Sequence, residues 1–570
     1  MKQLAISPKN GEGVIDEHRQ KKIFLVFFTV KKLVLWYTTS NKKIWLSFSR
    51  KPAFFTKGLP DLGNTHFERM DYMGNLLELK NGSDIRGIAI ATAEQSANLT
   101  PETIRQIARG LLAWNHKQNK RPPLIGIGRD SRLSGPDLAD ALIQELLAGG
   151  GDVIDFGLAT TPAMFMATQF PEFNCDLGLM LTASHLPFFY NGIKIFSQNG
   201  GAEKEDISWI LSHAETVTQA SVPGRLRHAD ILTPYAHDLV SKIKKGMATT
   251  SDKPLAKMKI LVDAGNGAGG FFASQVLQAL GADTTGSQFL DPDGYFPNHI
   301  PNPDNQEAMA SIKAAVLHHK ADLGVIFDTD VDRAALVTAD GNVLNRNNLI
   351  ALLSQIILAE HPGTRIVTNS PTTDHLKAFI ENLGGIQVRY ISGYRNVINK
   401  AIALNNAGLD CQLAIETSGH AAFKENYFLD DGAYVIAKIL MTLPKLIKAG
   451  RNLTDLIADL KQPAETLERR LKITGDNYRE VGEKVIAQLA DYVSQIDGWE
   501  LNPANEEGIR IKLTAPYGTG WFLLRMSLHE PLLVLQVEND ITGNNQKVIQ
   551  TLQPFFGRYA AVDSSTLTTN

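Results

Sequence analysis

Cysteine is scarce. The 570 residues hold two, Cys175 and Cys411, too few for a disulfide framework. Both sit in apolar contexts, FNCDLGLML and LDCQLAIE, without a CxxC or a Cys/His cluster. That excludes a structural zinc site and dithiol redox chemistry, and predicts two buried thiols in the reducing cytoplasm. Long apolar runs are missing as well. No uninterrupted window approaches the roughly 18–20 residues that cross a bilayer, so no membrane span is expected. No compact apolar stretch with a small-residue cleavage site marks a signal peptide. Nor is there a basic excess, the formal charge being -3, so no global field advertises nucleic acid. G-x-S-x-G is absent, which excludes a nucleophile elbow. With no low-complexity tract and no long Pro/Ser linker, the expectation is domains joined by short connections around shared clefts.

Acids are missing from one stretch in particular. Between Lys21 and Lys57 there are nine Lys or Arg and no Asp or Glu. Aromatics such as Phe24, Phe27, Phe28, Trp36 and Trp45 lie in the same stretch, but Lys31-Lys32 and Lys42-Lys43 interrupt its apolar runs. Residues 1–75 therefore read as a leader, disordered or outside the fold and dispensable for chemistry, with a basic surface-binding segment as the alternative. Met70 and Met73 stand just before the first strong motif.

From about residue 76 the chain alternates short β-rich runs with amphipathic segments. LIGIGRD (124–130) is followed by the helical pattern PDLADALIQELLAGG. KILVDAGNGAGG (259–270) and RIVTNSPTTDHLKAFIENLGG (365–385) repeat the scheme. Strands alternating with helices imply mixed sheets with helices on both faces. Three such openings suggest three related α/β domains. After about residue 462 a helix and the runs IRIKLTA, GWFLLRMSL and LLVLQVEN read as a smaller α+β domain with an antiparallel sheet.

The sharpest local feature is FDTDVDRAAL (327–336), where Asp328, Asp330 and Asp332 alternate after the apolar run LGVIF. Carboxylates so spaced repel unless a cation lies between them, and a hard ion such as Mg²⁺ takes oxygen-only ligation. An EF-hand would need glycine and glutamate where Arg333 and Ala339 stand. A solvated acidic turn is the alternative. Ser184 and His185 follow an apolar run in LTASHLPFFYNGIKIF (181–196), with Lys194 ten residues past the serine. Alone, these could be ordinary loop residues. AIETSGHAAF (414–423) places Glu416, Ser418 and His420 in a polar loop suited to sugar hydroxyls, or in a plain turn. In LLRMSLHEPL (523–532), Arg525, Ser527 and His529 could bind a phosphate through charge-assisted bonds.

Taken together these segments resemble the α-D-phosphohexomutase superfamily. TASHLP, DTDVDR, ETSGH and RMSLHEP stand in the order of that family's phosphoserine, metal, sugar and phosphate loops. DIRG (84–87), GRDSRLSG (128–135), DAGNGAG (263–269) and PDGYFPNHIPNPD (292–304) are close to family wording, and the resemblance covers about residues 78–555. Departures are Leu186 for Asn, Ile415 for Gly, Thr329 and Val331 where small residues are common, and Leu528-His529 for Gly-Thr.

The resemblance implies a phosphoserine domain over 76–235, a metal-binding domain over 236–345, a sugar-binding domain over 346–462 and a phosphate-binding domain over 463–560, arranged around a central cleft. It implies Ser184 as the phosphoryl carrier and Mg²⁺ held by Asp328, Asp330, Asp332 and the phosphoserine. Arg86, His185 and Lys194 would be catalytic, and Arg333, Glu416, Ser418, His420, Arg525 and Ser527 would bind substrate. The implied reaction interconverts hexose 1- and 6-phosphates, with a hexose 1,6-bisphosphate as intermediate and activator. The histidine ending ETSGH resembles the loops of bacterial phosphomannomutase/phosphoglucomutase and phosphoglucosamine mutase more than those of animal-type phosphoglucomutases. Mannose and glucose phosphates are the expected substrates, with glucosamine phosphate as the alternative. Tyr394 and Arg395 in SGYRNV stand where the family varies with substrate. A non-catalytic sugar-phosphate-binding relative is the reading from another class.

Overall fold

A strand that ends in a tight loop and returns antiparallel is the recurring unit of this chain. It is seen in a computed structural model that describes residues 25–29, 32–39, 42–48, 76–119, 121–214, 220–475, 477–527 and 530–567. The chain divides into two units, Met1–Tyr72 and Met73–Asn570. In the first, Leu25–Thr29, Lys32–Thr39 and Lys42–Phe48 pair as an antiparallel sheet with Trp36 opposite Trp45. Lys32 and Lys42, which look like interruptions in the sequence, open the second and third of these strands.

Among the described residues the second unit carries four sheets. In the first sheet the strands Leu226–His228, Asp152–Leu158, Leu124–Arg129 and Leu177–Leu181 lie parallel, and Tyr190–Ser197 returns antiparallel to Leu177–Leu181. The second pairs Ile260–Asp263 parallel with Leu323–Phe327, which then pairs antiparallel with Ala334–Thr338. The third sets Ile386–Tyr390, Arg365–Asn369 and Cys411–Ile415 parallel, with Ala421–Phe423 returning antiparallel. Each therefore ends its parallel run in one hairpin. The strands leading into the hairpins are covered on both faces: every residue of Leu177–Leu181 and Leu323–Phe327 is buried. That is why they read as unbroken apolar runs rather than alternating ones.

The fourth sheet is wholly antiparallel, in the order Glu465–Lys472, Leu532–Asn539, Gly520–Met526, Ile509–Leu513, Trp499–Leu501. It has its own core, including Phe522, Phe555 and Phe556. Three mixed-sheet α/β domains plus an α+β domain are thus present, as the sequence predicts.

The joints between domains differ in kind. One apolar core runs through the first three, from Met164 and Phe165 through Phe272 and Phe327 to Phe423 and Leu440. Phe272 and Phe327 meet edge to face with centroids 5.2 Å apart. The fourth domain meets the third through polar groups. Arg510 donates to the carbonyls of Ser370 and Thr372, and Ser392 donates to Glu507 at 2.7 Å.

Candidate active site

Ser184 lies in the hairpin between Leu177–Leu181 and Tyr190–Ser197, fully buried and with φ at +51°. A serine there sits in the left-handed region, a strain that persists only where its surroundings impose it. They do so here. Thr182 Oγ1 accepts from the Ser184 amide at 2.8 Å. The buried Arg132 guanidinium donates to the carbonyls of Ser184, Leu186, Pro187 and Tyr190, so one side chain grips most of the loop. Asp130 braces it at 3.1 Å, and the Phe296 ring lies 5.3 Å from its guanidinium carbon.

The loop between Leu323–Phe327 and Ala334–Thr338 brings the aspartates up to that serine. Ser184 Oγ donates to Asp328 Oδ2 at 2.9 Å. The three carboxylates each offer an oxygen within 4.8 Å of the others. Burial, with Asp332 and Asp330 alongside, pushes Asp328 well above the usual carboxylate range. Burial works the same way on Asp332, but Lys194, His420 and Arg333 outweigh it and hold that group below the range. Asp330 Oδ1 and Asp332 Oδ1 are buried without a hydrogen-bond partner among the described residues. Orphaned anionic oxygens in a converging oxygen set fit a hard divalent cation such as Mg²⁺.

Two motifs clamp this loop from below. Thr161 gives Asp330 both its amide, to the carbonyl at 2.8 Å, and its hydroxyl, to the carboxylate. In DAGNGAG, Gly267 packs so close that an added Cβ would stand 2.6 Å from Thr329 O, and the Ala268 amide donates to that carbonyl at 2.8 Å. From the third domain, the Gly432 amide donates to Val331 O at 3.0 Å.

Cations converge on the same place. Lys194 Nζ donates to Asp330 at 3.0 Å and also to Asp332. Burial would lower its pKa, but these two carboxylates raise it well above normal, so it is held as an ammonium. Arg333 Nη2 is 3.3 Å from Ser184 Oγ and donates to His185 Nδ1 at 2.8 Å. Arg333, then burial, pushes His185 well below its usual pKa, so the imidazole is neutral and accepts at Nδ1. Arg86 Nη1 reaches Ala183 O at 3.4 Å, and its Nε has no partner among the described residues.

The third hairpin adds acceptors. His420 is paired at Nδ1 with Asp430, which outweighs burial and raises its pKa. Glu416 takes the Gly393 amide at 2.7 Å, and burial raises its pKa. Ser418 Oγ is buried and unpartnered among the described residues. Arg525 stays within its own domain, donating to Met526 O at 3.2 Å and lying 3.8 Å from Glu507. It connects to the third hairpin through Glu507, Ser392 and Gly393 rather than touching Ser184. Ser527 begins the loop whose Leu528 and His529 lie outside the described residues.

Of the residues singled out from sequence, Ser184, His185, Lys194, Arg86, the three aspartates, Arg333 and His420 thus form one cluster. Sequence reasoning missed Arg132, Thr161, Asp84 and Gly432. Only GRDSRLSG and DIRG, noted as family wording, could have flagged any of them.

Comparison with known proteins fits this geometry. The alpha/beta/alpha domains I, II and III of phosphoglucomutase/phosphomannomutase match residues 78–221, 233–341 and 345–463. A phosphomannomutase/phosphoglucomutase of Pseudomonas putida is 32% identical over 467 residues, 82% of this chain and 92% of that one. That of Pseudomonas aeruginosa is 33% identical over 484 residues, 85% and 95% of the two chains. A crystal structure of a phosphoglucomutase/phosphomannomutase family protein from Burkholderia thailandensis superposes with a TM-score of 0.70 at 25% identity, covering 85% of this chain and 99% of that one. The chain belongs to the phosphoglucomutase/phosphomannomutase family of phosphohexomutase isomerases, within the α-D-phosphohexomutase superfamily.

Proposed function

We propose that the protein interconverts hexose 1-phosphates and hexose 6-phosphates through a phosphoryl group carried on Ser184, with mannose and glucose phosphates as its substrates. The observation that carries this reading is the 2.9 Å contact of Ser184 Oγ with Asp328, inside a ring of Lys194, Arg86 and Arg333. In the forward half, the Oγ–P bond of phosphoserine breaks, a bond from phosphorus to a free sugar hydroxyl oxygen forms, and that hydroxyl's proton ends on Ser184 Oγ, which donates it to Asp328, giving a hexose 1,6-bisphosphate. In the return half, the other sugar O–P bond breaks as Ser184 Oγ takes that phosphoryl, and the serine's proton passes to the freed sugar oxygen. Asp328, Asp330 and Asp332, with the phosphoserine, would hold Mg²⁺, which when bound neutralises charge on the transferring group.

The remaining work belongs to side chains. Lys194 and Arg86 are fixed cations, suited to electrostatic stabilisation of the transferring oxygens. Arg333 orders neutral His185 behind the serine. Glu416, Ser418 and His420 are placed to accept or donate to sugar hydroxyls, and Arg525 with Ser527 to hold the phosphate that is not reacting. Ser184 is fully buried, so the proposed transfer takes place at a site set back from bulk water. Both cysteines are buried thiols, in keeping with a reducing, cytoplasmic setting. Among the described residues no helix is long and apolar enough to cross a membrane.

Incubation with Mg²⁺ and glucose 1,6-bisphosphate tests the reading. One phosphoryl is expected on Ser184 by peptide mass, and none on a Ser184→Ala variant. An unlabelled Ser184 would leave a sugar-phosphate-binding relative without mutase chemistry. Comparing kcat/KM for mannose, glucose and glucosamine 1-phosphates then decides the sugar, and a preference for glucosamine 1-phosphate would overturn the assigned substrates.

A further inference from the structure

The Tyr394 hydroxyl sits in a relay that ends on a residue of the cleft. It donates to Asp84 Oδ1 at 2.9 Å, while the other oxygen of Asp84 takes Arg86 Nη2, also at 2.9 Å. Ser83 Oγ donates to the phenol oxygen at 3.2 Å. The hydroxyl's single proton is spent on Asp84, leaving the phenol no donor for a ligand. The ring is fixed as well: it stacks on His420, with centroids 5.6 Å apart and planes 24° apart, and Lys194 Nζ lies 5.8 Å from its centre.

The platform under Tyr394 is rigid. Tyr394 opens the helix Tyr394–Asn406 of the third domain, while Asp84 and Arg86 belong to the strand Asp84–Ile88 of the first. The next residue, Arg395, is ion-paired with Glu203 of the first domain, and Asn399 donates to the same carboxylate at 2.9 Å. Two ties therefore hold the start of this helix against the first domain. Arg86 itself is held by Asp84 at Nη2 and, more loosely, by the Ala183 carbonyl 3.4 Å from Nη1, while its Nε is buried and unpartnered among the described residues. Without the tyrosine hydroxyl, nothing named here except Arg86 would fix the rotation of Asp84.

We propose that Tyr394 is a positioning residue: through Asp84 it sets the guanidinium of Arg86 against the phosphoryl group carried on Ser184. This rests on the phosphoserine reading above. Steady-state kinetics of the full chain with glucose 1-phosphate, Mg²⁺ and glucose 1,6-bisphosphate test it. Tyr394→Phe keeps the ring stack and removes only the hydroxyl. Loss of one bond to a charged group predicts a fall in kcat of about 10- to 100-fold, with KM changed by less than about threefold. Asp84→Asn is expected to fall in the same range. The double variant is expected within about twofold of Asp84→Asn alone, because both remove one relay.

Additive losses, or a Tyr394→Phe kcat within about twofold of the parent, overturn the proposal. A rise in KM with kcat unchanged overturns it too, since that is the mark of a substrate contact. Should the phenylalanine variant fail to fold, Asp84→Asn decides, and a kcat within about twofold of the parent overturns the relay. A parent enzyme that does not turn over sinks the phosphoserine reading and this assignment together. An active parent with an unaffected Tyr394→Phe sinks the assignment alone.

Discussion

Ser184 and Val331 are both held at positive φ, +51° and +66°, one on each of the two loops that meet where Ser184 Oγ donates to Asp328. For a β-branched residue such as Val331 the left-handed region costs about 1–2 kcal/mol. Its side chain is fully buried, and burying a valine contributes about 1.5–3 kcal/mol, enough to offset the strain. That is how this chain carries a valine at a left-handed position. The aspartates behave otherwise: their orphaned oxygens converge on one point, which suits a divalent cation. Asp330→Asn takes one charge from the set. It should raise the Mg²⁺ concentration for half-maximal activity by about tenfold or more, equivalent to at least about 1.4 kcal/mol. A titration of activity against Mg²⁺ checks this, and an unchanged midpoint would make the triplet a mere turn. Arg132→Lys is a second case. An ammonium cannot fork to four carbonyls, and the unpaired buried acceptors should cost at least about 3 kcal/mol. Urea unfolding should show the loss, together with a fall in kcat, although Arg132 itself is expected to touch no substrate.

At the scale of elements, one hairpin used three times explains why the motifs are so short. Each parallel run ends at a buried strand, and the loop that follows holds residues of the proposed chemistry: Ser184, then Asp328 to Asp332, then Glu416 to His420. The glycines of DAGNGAG serve the second of these loops by proximity. Gly267→Ala would place a Cβ 2.6 Å from Thr329 O and 2.7 Å from its Cα. Backbone cannot give way cheaply, so a loss of about 1–3 kcal/mol is expected, seen as a lowered melting temperature with weaker Mg²⁺ dependence. An unchanged melting temperature would mean that the loop shifts freely.

Much of this level is legible in sequence, because strand–turn–strand patterns and alternating aspartates are local. LIGIGRD, IRIKLTA and LLVLQVEN all fall on strands. The helix FFASQVLQALGA that follows the glycine turn is wound as a π-helix over Phe272–Leu277 and continues into hydrogen-bonded turns. What stays hidden is what reaches across the chain. Thr161 to Asp330, Tyr394 to Asp84 and Arg132 to the Ser184 loop join residues 169, 310 and 52 apart. No periodicity records such pairs. The lysines of the first unit mislead for a related reason: a charged residue opening a strand looks, in one dimension, like an interruption of it.

At the scale of the whole molecule, an apolar core unites the first three domains, while ion pairs and hydrogen bonds join the fourth to the third. Polar joints are the ones that open and close around ligands. The domain carrying Arg525 is therefore the one expected to close over substrate. The unit Met1–Tyr72 contributes none of the residues assigned here, which run from Ser83 to Ser527, and the family match begins at residue 78. Nine basic residues without an acid between Lys21 and Lys57 also repel one another at low salt. A chain beginning at Met73 is therefore expected to keep the kcat of the full protein, with a melting temperature within a few degrees of it. Thermal unfolding and turnover of the two chains, measured side by side at low and high salt, check this. A drop of about ten degrees or more, well beyond what one lost contact costs a protein of this size, would show that residues 1–72 stabilise the catalytic unit. So would loss of turnover at an unchanged melting temperature, which would bring the first unit into the chemistry itself.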